Sequence, residues 1–471
     1  MKTSIKICFV ALVAIGLFVL GTALAQATKG KPVMPGQLSE KRFITGFRLD
    51  SETSLQAGRL WSGLSSSREA WSSEYRVFII DPVLNRERCK AYGINSQGQV
   101  VGKAYNYDVN ADEELNRQAF IWNIAGDYKI LPPLSEGGES GVWGINDSGQ
   151  VSGYAYTVEG YRHGVRWDNT NGTVEDIVLV DMGTLTNVDT GMSGDESSAF
   201  EINDMGRVVG HADIPNDDGS FTPFHGFIYD DTNGIQDLGT LTTHAPQWQN
   251  GYSIAYDMND NQSAVGIASD SNWAYLPFIY DEVNGMSALA IDPTYSGSAY
   301  EWYAVAINDS GLIAGHVIAA ANRSLPYYWE DSSSDPIAVP MPEGFPYGEI
   351  YGINEAGEMV GIMWDSDQED PVEHAFIFDS ENGVRDLNSL INPETGRVLI
   401  FARDINDAGE ISGACDVGGV RKGFLLVPAC AGDFDGDGDI DGTELAALAS
   451  DNGLVELSAF AANFGKTDCL N

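Results

Sequence analysis

An Ile-Asn or Met-Asn pair followed, seven residues after the Asn, by Gly recurs at Asn95/Gly102, Asn146/Gly153, Asn203/Gly210, Asn259/Gly266, Asn308/Gly315, Asn354/Gly361 and Asn406/Gly413. The interval inside the unit never varies, while consecutive Asn residues stand 46 to 57 residues apart. A short unit held rigidly, with insertions tolerated between copies, is how a repeat architecture behaves. The chain is therefore expected to build like modules around or along an axis.

Each unit reads as a tight hairpin. A bulky residue stands two before the Ile or Met in Tyr92/Ile94, Trp143/Ile145, Phe200/Ile202, Tyr256/Met258 and Tyr351/Ile353. That period of two marks a strand with one buried face. The Asn and the following Asp147, Asp204, Asp260, Asp309 or Asp407 are expected to bond their own backbone in the turn, with Gly98, Gly149, Gly206, Gly311, Gly357 and Gly409 supplying positive φ. The fourth copy has Gln262 at that Gly position, after Asn261, so its turn is expected to be distorted. A third segment follows, as in Gln118-Ala119-Phe120, His225-Gly226-Phe227 and His374-Ala375-Phe376, then a fourth, as in Ile235 to Leu241. Four strands in about 50 residues is the content of one propeller blade.

The seventh copy stops after its third strand at Leu426, and an orphan strand, Tyr75 to Asp81, precedes the first. An N-terminal strand completing the last blade would close the ring and remove open edges, which a straight solenoid would not. The expected fold is all-β, a seven-bladed β-propeller over 75–428 closed by that strand, followed by a small α-helical calcium-binding module over 430–471. With His374-Ala375-Phe376 and the Ile-Asn-Asp-x-Gly-x-Val-x-Gly hairpin, the chain resembles the family of extracellular HAF-repeat proteins. The resemblance implies export and a propeller-like fold, and brings no activity with it.

Lys2 and Lys6 precede an apolar run from Ile7 to Leu20, and Ala23-Leu24-Ala25 makes a small-x-small cleavage pattern. Residues 1–25 are expected to be a signal peptide and the product to be secreted or at the cell surface, with no transmembrane anchor after cleavage. Residues 26–74 match no repeat. The 26 basic residues against 68 acidic ones give a net charge of −42, which repels nucleic acid and anionic lipid. In an oxidising compartment Cys89, Cys415, Cys430 and Cys469 are expected to form two disulfides. Ring closure would favour Cys89–Cys415, leaving Cys430–Cys469.

Residues 433 to 444 fit the twelve-residue EF-hand loop. Asp433, Asp435 and Asp437 would give side-chain oxygens to Ca2+, Asp439 its carbonyl, Asp441 a water-mediated contact and Glu444 a bidentate carboxylate, with Gly438 at the sharp turn. Two apolar stripes follow, Leu445, Leu448, Ala449 and Leu457, Phe460, Ala461, Phe464, the second without ligands. The segment resembles a dockerin with a single working site, which implies a cohesin-like partner. So small a module needs staples, here calcium and a disulfide.

His163, His225 and His374 occupy equivalent positions, but Gln118, Leu276, Leu325 and Lys422 occupy the same position elsewhere, which suits packing better than a ligand set. His211 and His316 follow repeat glycines and would face the axis. No nucleophile elbow, P-loop or paired zinc motif is present, and no two carboxylates stand out. The loops Asn106–Asn116, Asp189–Ser198, Asp213–Pro223 and His244–Gly251, with Phe221 and Trp248, would gather over one face. The expected role is non-enzymatic binding or scaffolding on an extracellular glycan or protein. The alternative is a propeller hydrolase or lyase acting on polysaccharide, tethered by its tail, and acids that break the repeat symmetry would favour it.

Overall fold

The structure, a computed structural model, describes residues 74–429 apart from 82, 84, 112, 188–189, 216–223, 242–250, 321–322, 369 and 394–395. Residues 1–73, the loop Asp433 to Glu444, Cys430 and Cys469 lie outside the described residues, as do Phe221 and Trp248.

In the first repeat Arg88–Ile94, Val100–Asp108, Glu113–Trp122 and Tyr128–Ile130 pair in that order, each antiparallel to the next. Five such four-stranded sheets are present among the described residues, with one of eight strands. The larger sheet is two antiparallel sets joined only where Tyr275 pairs with Glu301 in parallel. In the sheet of the last repeat the order is Tyr75–Ile80, Val420–Pro428, Ile411–Val417, Arg397–Ile405. The orphan N-terminal strand thus lies antiparallel to the last one, from Tyr75 opposite Pro428 to Ile80 opposite Gly423.

The buried hydrophobic clusters lie between consecutive sheets. One joins Ala91, Val100 and Phe120 of the first repeat to Leu425 and Val427 of the last, and another joins Val101 and Ile121 to Val151 and Val165 of the second. Sheets that bury both faces against neighbours in a cycle form a β-propeller. In six of the seven repeats the repeat glycine pairs with the third-strand aromatic, as in Gly102 opposite Phe120, Gly210 opposite Phe227 and Gly361 opposite Phe376, and in the second Gly153 stands opposite Val165. A Cβ on Gly361 would stand 1.9 Å from the Glu349 carbonyl oxygen, so close approach of the neighbouring strand, and not φ, requires the glycine. Phe120, Phe227, Phe278, Phe376 and Phe424 are fully buried, each worth about 1.5–3 kcal/mol of apolar burial.

The asparagines close the ring. Asn95 Nδ2 donates to the carbonyl of Asn146, Asn146 to Asn203, Asn203 to Asn259, Asn259 to Asn308, Asn308 to Asn354, Asn354 to Asn406, and Asn406 back to Asn95, at 2.9–3.2 Å. Each Oδ1 accepts the backbone N–H four residues on, for example Gln99 and Arg207 at 3.0 Å. The carboxylates do not turn inward on their own loops as expected. The N–H of Ser96 donates to Asp147, Asp147 to Asp204, Asp204 to Asp260, Asp260 to Asp309, Asp309 to Glu355 and Glu355 to Asp407, at 2.5–2.9 Å. Each acid therefore fixes the neighbouring repeat's turn.

Two further expectations are corrected. The fourth turn keeps its form: Gln262 takes φ +66° and its N–H donates to the Asn259 carbonyl at 3.1 Å, as Gly206 does to Asn203 at 2.9 Å. Cys89 and Cys415 are free and buried, not bridged. Cys89 packs with Leu425 and Val427, whereas Cys415 packs with Phe424 and Leu426, the alternate residues of the same strand. Alternation points those pairs to opposite faces, so the sheet of the last repeat separates the two sulfurs.

Candidate functional site

Every repeat carries a β-bulge in its first strand, between the residues four and one before the Asn or just beside them, as at Ala91/Gly93, Ala199/Ile202, Ala255/Asp257, Ala304/Ala306 and Ile350/Gly352. A bulge leaves a residue out of the ladder and re-aims its side chain. The Ile or Met just before the Asn then enters the core between sheets, as Ile94 and Ile202 do, while the bulky residue three before the Asn turns to the axis. The two were expected to share one buried face. The bulge separates them.

The result is a cavity of about 720 Å³ on the axis, lined by all seven repeats. Its wall takes Tyr92, Trp143, Phe200, Tyr256, Val305, Tyr351 and Arg403 from equivalent positions. Tyr92 and Trp143 meet edge to face at 4.9 Å, Trp143 and Phe200 at 5.7 Å, and Phe200 stacks on Tyr256 at 5.6 Å. The Arg403 guanidinium lies 4.8 Å from the Tyr351 ring centre and 5.8 Å from that of Trp143. This aromatic belt was partly legible as the recurrent bulky residue, but its orientation depended on the bulge.

The next residue in each repeat is Gly93, Gly144, Glu201, Asp257, Ala306, Gly352 or Asp404. Three acids thus break the pattern in a cavity that the repeat motif alone does not mark. Asp404 accepts the Ile94 N–H at 2.9 Å and the Ile405 N–H at 2.8 Å on its two oxygens. Asp257 likewise takes Ile307 and Met258, both at 2.7 Å. Each of these acids brackets its own repeat to the following one. Glu201 accepts only the N–H of Ile202, at 3.1 Å, among the described residues, and its carboxylate fills the space beside Gly144 that a Cβ would need. Surrounded by protein though open to the cavity, all three carboxyls are raised. Loss of hydration is the main cause for each, and the charges of Asp257 and Asp404 add to it at Glu201. Asp257 is pushed up to about 7.

His211 lines the same cavity at 6% exposure. Its Nε2 stands 3.4 Å from Arg162 Nη2, and its Nδ1 has no hydrogen-bond partner among the described residues. Burial, then the Arg162 charge, lowers it to about 3, which keeps it neutral. His316 stacks on Tyr303 at 4.9 Å instead. The other three histidines among the described residues each contact an Asp of the fourth strand of their own sheet: His163 with Asp181 at 2.9 Å, His225 with Asp237 at 3.0 Å, His374 with Asp386 at 2.6 Å. Those pairs fasten an outer strand away from the axis. Among the described residues no group of three or more His, Cys, Asp or Glu is arranged to hold a metal ion.

Residues 81–250, less than half of the chain, match a family model described as a protein of unknown function (DUF3466). Comparison with curated proteins finds no match. Similar solved structures include a streptogramin B lyase, at 10% identity over 76% of this chain and 100% of that one, with a TM-score of 0.44. Another is the β-propeller domain of the Trilobed protease from Pyrococcus furiosus, at 11% identity over 71% and 93%, with a TM-score of 0.43. A gluconolactonase from Xanthomonas campestris gives 10% identity over 76% and 91%, with a TM-score of 0.34. Likeness at that level says nothing about chemistry.

Proposed function

We propose that this chain is a secreted, seven-bladed propeller that binds an extracellular glycan without cleaving it, and that its axial cavity is the binding site. The observation that carries the reading is the aromatic belt of Tyr92, Trp143, Phe200, Tyr256 and Tyr351 around carboxylate and guanidinium groups. Apolar ring faces cover the C–H faces of sugars while the charged groups take hydroxyls, the usual division of labour in a ligand cavity. Seven turns linked in one hydrogen-bonded cycle support the blade count.

The symmetry-breaking acids favour a second reading, hydrolysis or lysis. A glycoside hydrolase of the usual kind needs two carboxyls free to act, one as acid and one as base or nucleophile. Asp257 and Asp404 have both oxygens engaged by backbone N–H groups, which leaves Glu201 alone. Binding is therefore the better reading. The full chain incubated with a panel of extracellular polysaccharides, scored for retained protein and new reducing ends, separates the two. Retention without new ends, weakened at least about tenfold by Trp143→Ala, is expected from the loss of a stacking aromatic. New reducing ends would make it an enzyme.

The tail belongs to the same reading. Residues 433–444 carry the full set of EF-hand ligands, and we assign them Ca2+ as the ion that folds the module or attaches it to a cohesin-like partner. Calcium is expected to protect residues 430–469 from proteolysis in the wild type and not in Glu444→Ala. Equal protection in both would remove the assignment.

A further inference from the structure

The charge inside the cavity narrows the ligand. Three carboxyl groups, Glu201, Asp257 and Asp404, share the cavity with the guanidinium of Arg403, which has no carboxylate within ion-pair distance among the described residues and rests on Trp143 and Tyr351. The second cation, Arg162, is drawn off toward Glu196 at 3.8 Å and the Tyr154 ring at 5.8 Å. At the turn end the rim adds Asp147, Asp204, Asp260, Asp309, Glu355 and Asp407, with no basic residue among the rim positions. Each rim acid spends one oxygen on a neighbouring backbone N–H. An anionic sugar entering here would meet like charge at the rim, and inside it would hold the three axial carboxyls in their neutral form, whereas an ammonium group would favour their ionisation.

Two buried polar groups remain unanswered in the same cavity. His211, neutral and 6% exposed, keeps an Nδ1 without a partner among the described residues, and so does the Trp143 Nε1 donor. Both atoms are closed off from the open space, so the group of the wall left to meet a ligand is the second Glu201 carboxyl oxygen, the first being taken by the Ile202 N–H. Aromatic faces flanking carboxylates are also the surroundings that hold an ammonium group, through its attraction to ring faces and to negative charge at once.

We infer that the cavity takes a glycan bearing free primary ammonium groups, a de-N-acetylated amino sugar polymer, with Glu201 as the carboxylate that receives the ammonium and Trp143 and Tyr92 flanking the sugar. The inference rests on the glycan-binding reading and adds its chemical class. Arg403 occupies part of the same aromatic surface and is the intramolecular competitor of the ligand's cation.

The test measures binding of the full chain to glucosamine oligomers of one length, either fully N-acetylated or fully de-N-acetylated, with a lysine oligomer of equal charge as a third probe. The de-N-acetylated oligomer is expected to bind at least about tenfold more tightly than the acetylated one, the scale of one desolvated charge pair. Glu201→Gln is expected to abolish that preference, and Arg403→Met to increase it. Equal or tighter binding of the acetylated oligomer overturns the ammonium claim and leaves glycan binding intact. Binding of neither oligomer, with another polysaccharide retained in the panel, overturns it equally. If no polysaccharide is retained, both readings fall, and preference for the lysine oligomer assigns the cavity to a protein partner instead. A wild-type preference in a folded Glu201→Gln protein, checked by its unfolding midpoint, removes Glu201 from the site. Loss of folding there leaves the decision to Arg403→Met, for which unchanged or weaker binding counts against the inference.

Discussion

Asn203 is 4% exposed and makes two hydrogen bonds of different reach: Oδ1 accepts the Arg207 N–H inside its own turn at 3.0 Å, and Nδ2 donates to the Asn259 carbonyl of the next repeat at 3.2 Å. Replacing it by Leu would bury an N–H and a carbonyl without partners, at about 1–3 kcal/mol each before relaxation. Asn203→Leu is therefore expected to destabilise the propeller by about 2–4 kcal/mol, as read by chemical denaturation. Asp204 accepts the Asp147 N–H at 2.9 Å on an exposed turn, where water can replace it, and Asp204→Ala is expected to cost no more than about 1 kcal/mol. Equal costs at the two positions would mean that the asparagine cycle does not hold the repeats together. The recurrence of both residues was plain in the sequence because each sits at a fixed distance from its glycine. The direction of their bonds was not, since a carboxylate that reaches its own turn and one that reaches the next turn leave the same local pattern.

The hairpin is where periodicity stops being informative. Alternation correctly identified the strands, the tight turn and the fourth-strand complement supplied by Tyr75–Ile80, because these depend on local chemistry and on counting strands. A bulge inserts one residue into a single strand and shifts the face taken by every later residue of that strand, so Tyr92 and Ile94 part company although they stand two apart. The only sequence trace of it was the small or acidic residue between them, Gly93 in one repeat and Glu201, Asp257 or Asp404 in others. Those three acids carry the candidate site, and without the bulge they would have pointed to the opposite face from their aromatic neighbours. The cysteines failed for the same reason at the level of the sheet. Ring closure does bring the first and last repeats together, and the Gly423 N–H even donates to Cys89 Sγ at 3.3 Å, but Cys415 belongs to the other face of that blade. Proximity of elements does not specify which face a side chain takes.

For the whole molecule, a net charge of −42 sets the direction in which conditions act. Self-repulsion opposes the compact state and is screened by salt, so the unfolding temperature of the propeller is expected to rise with ionic strength at neutral pH. The pH dependence comes from groups whose protonation differs between folded and unfolded chains. Glu201, Asp257 and Asp404 have raised folded values, so their contribution to stability is complete below the unfolded carboxylate range near pH ~4 and is lost as pH rises through the folded values, about 7 for Asp257. The turn carboxylates of Asp230 and Asp281, lowered chiefly by the Asn233 and Asn284 side chains, act in the opposite sense, but only where pH falls toward or below ~4. Lowered His211 and His316 also favour the folded state above their unfolded value near ~6.5, and by pH ~7 they have given most of that. Cys89 and Cys415, raised to about 12 and about 11, begin to subtract stability only as unfolded thiols ionise near ~8.5. Between pH ~7 and ~8 Asp257, and His163 raised chiefly by its hydrogen bond to Asp181, lose protons mainly in the folded chain. The unfolding temperature is therefore expected to fall across that interval at fixed salt, with a smaller fall in Asp257→Asn. Calorimetric scans of both proteins at the two pH values decide it. A wild-type temperature that rises from ~7 to ~8, or an unchanged slope in the variant, would mean that the Asp257 carboxyl is hydrated well enough in the empty cavity to ionise freely.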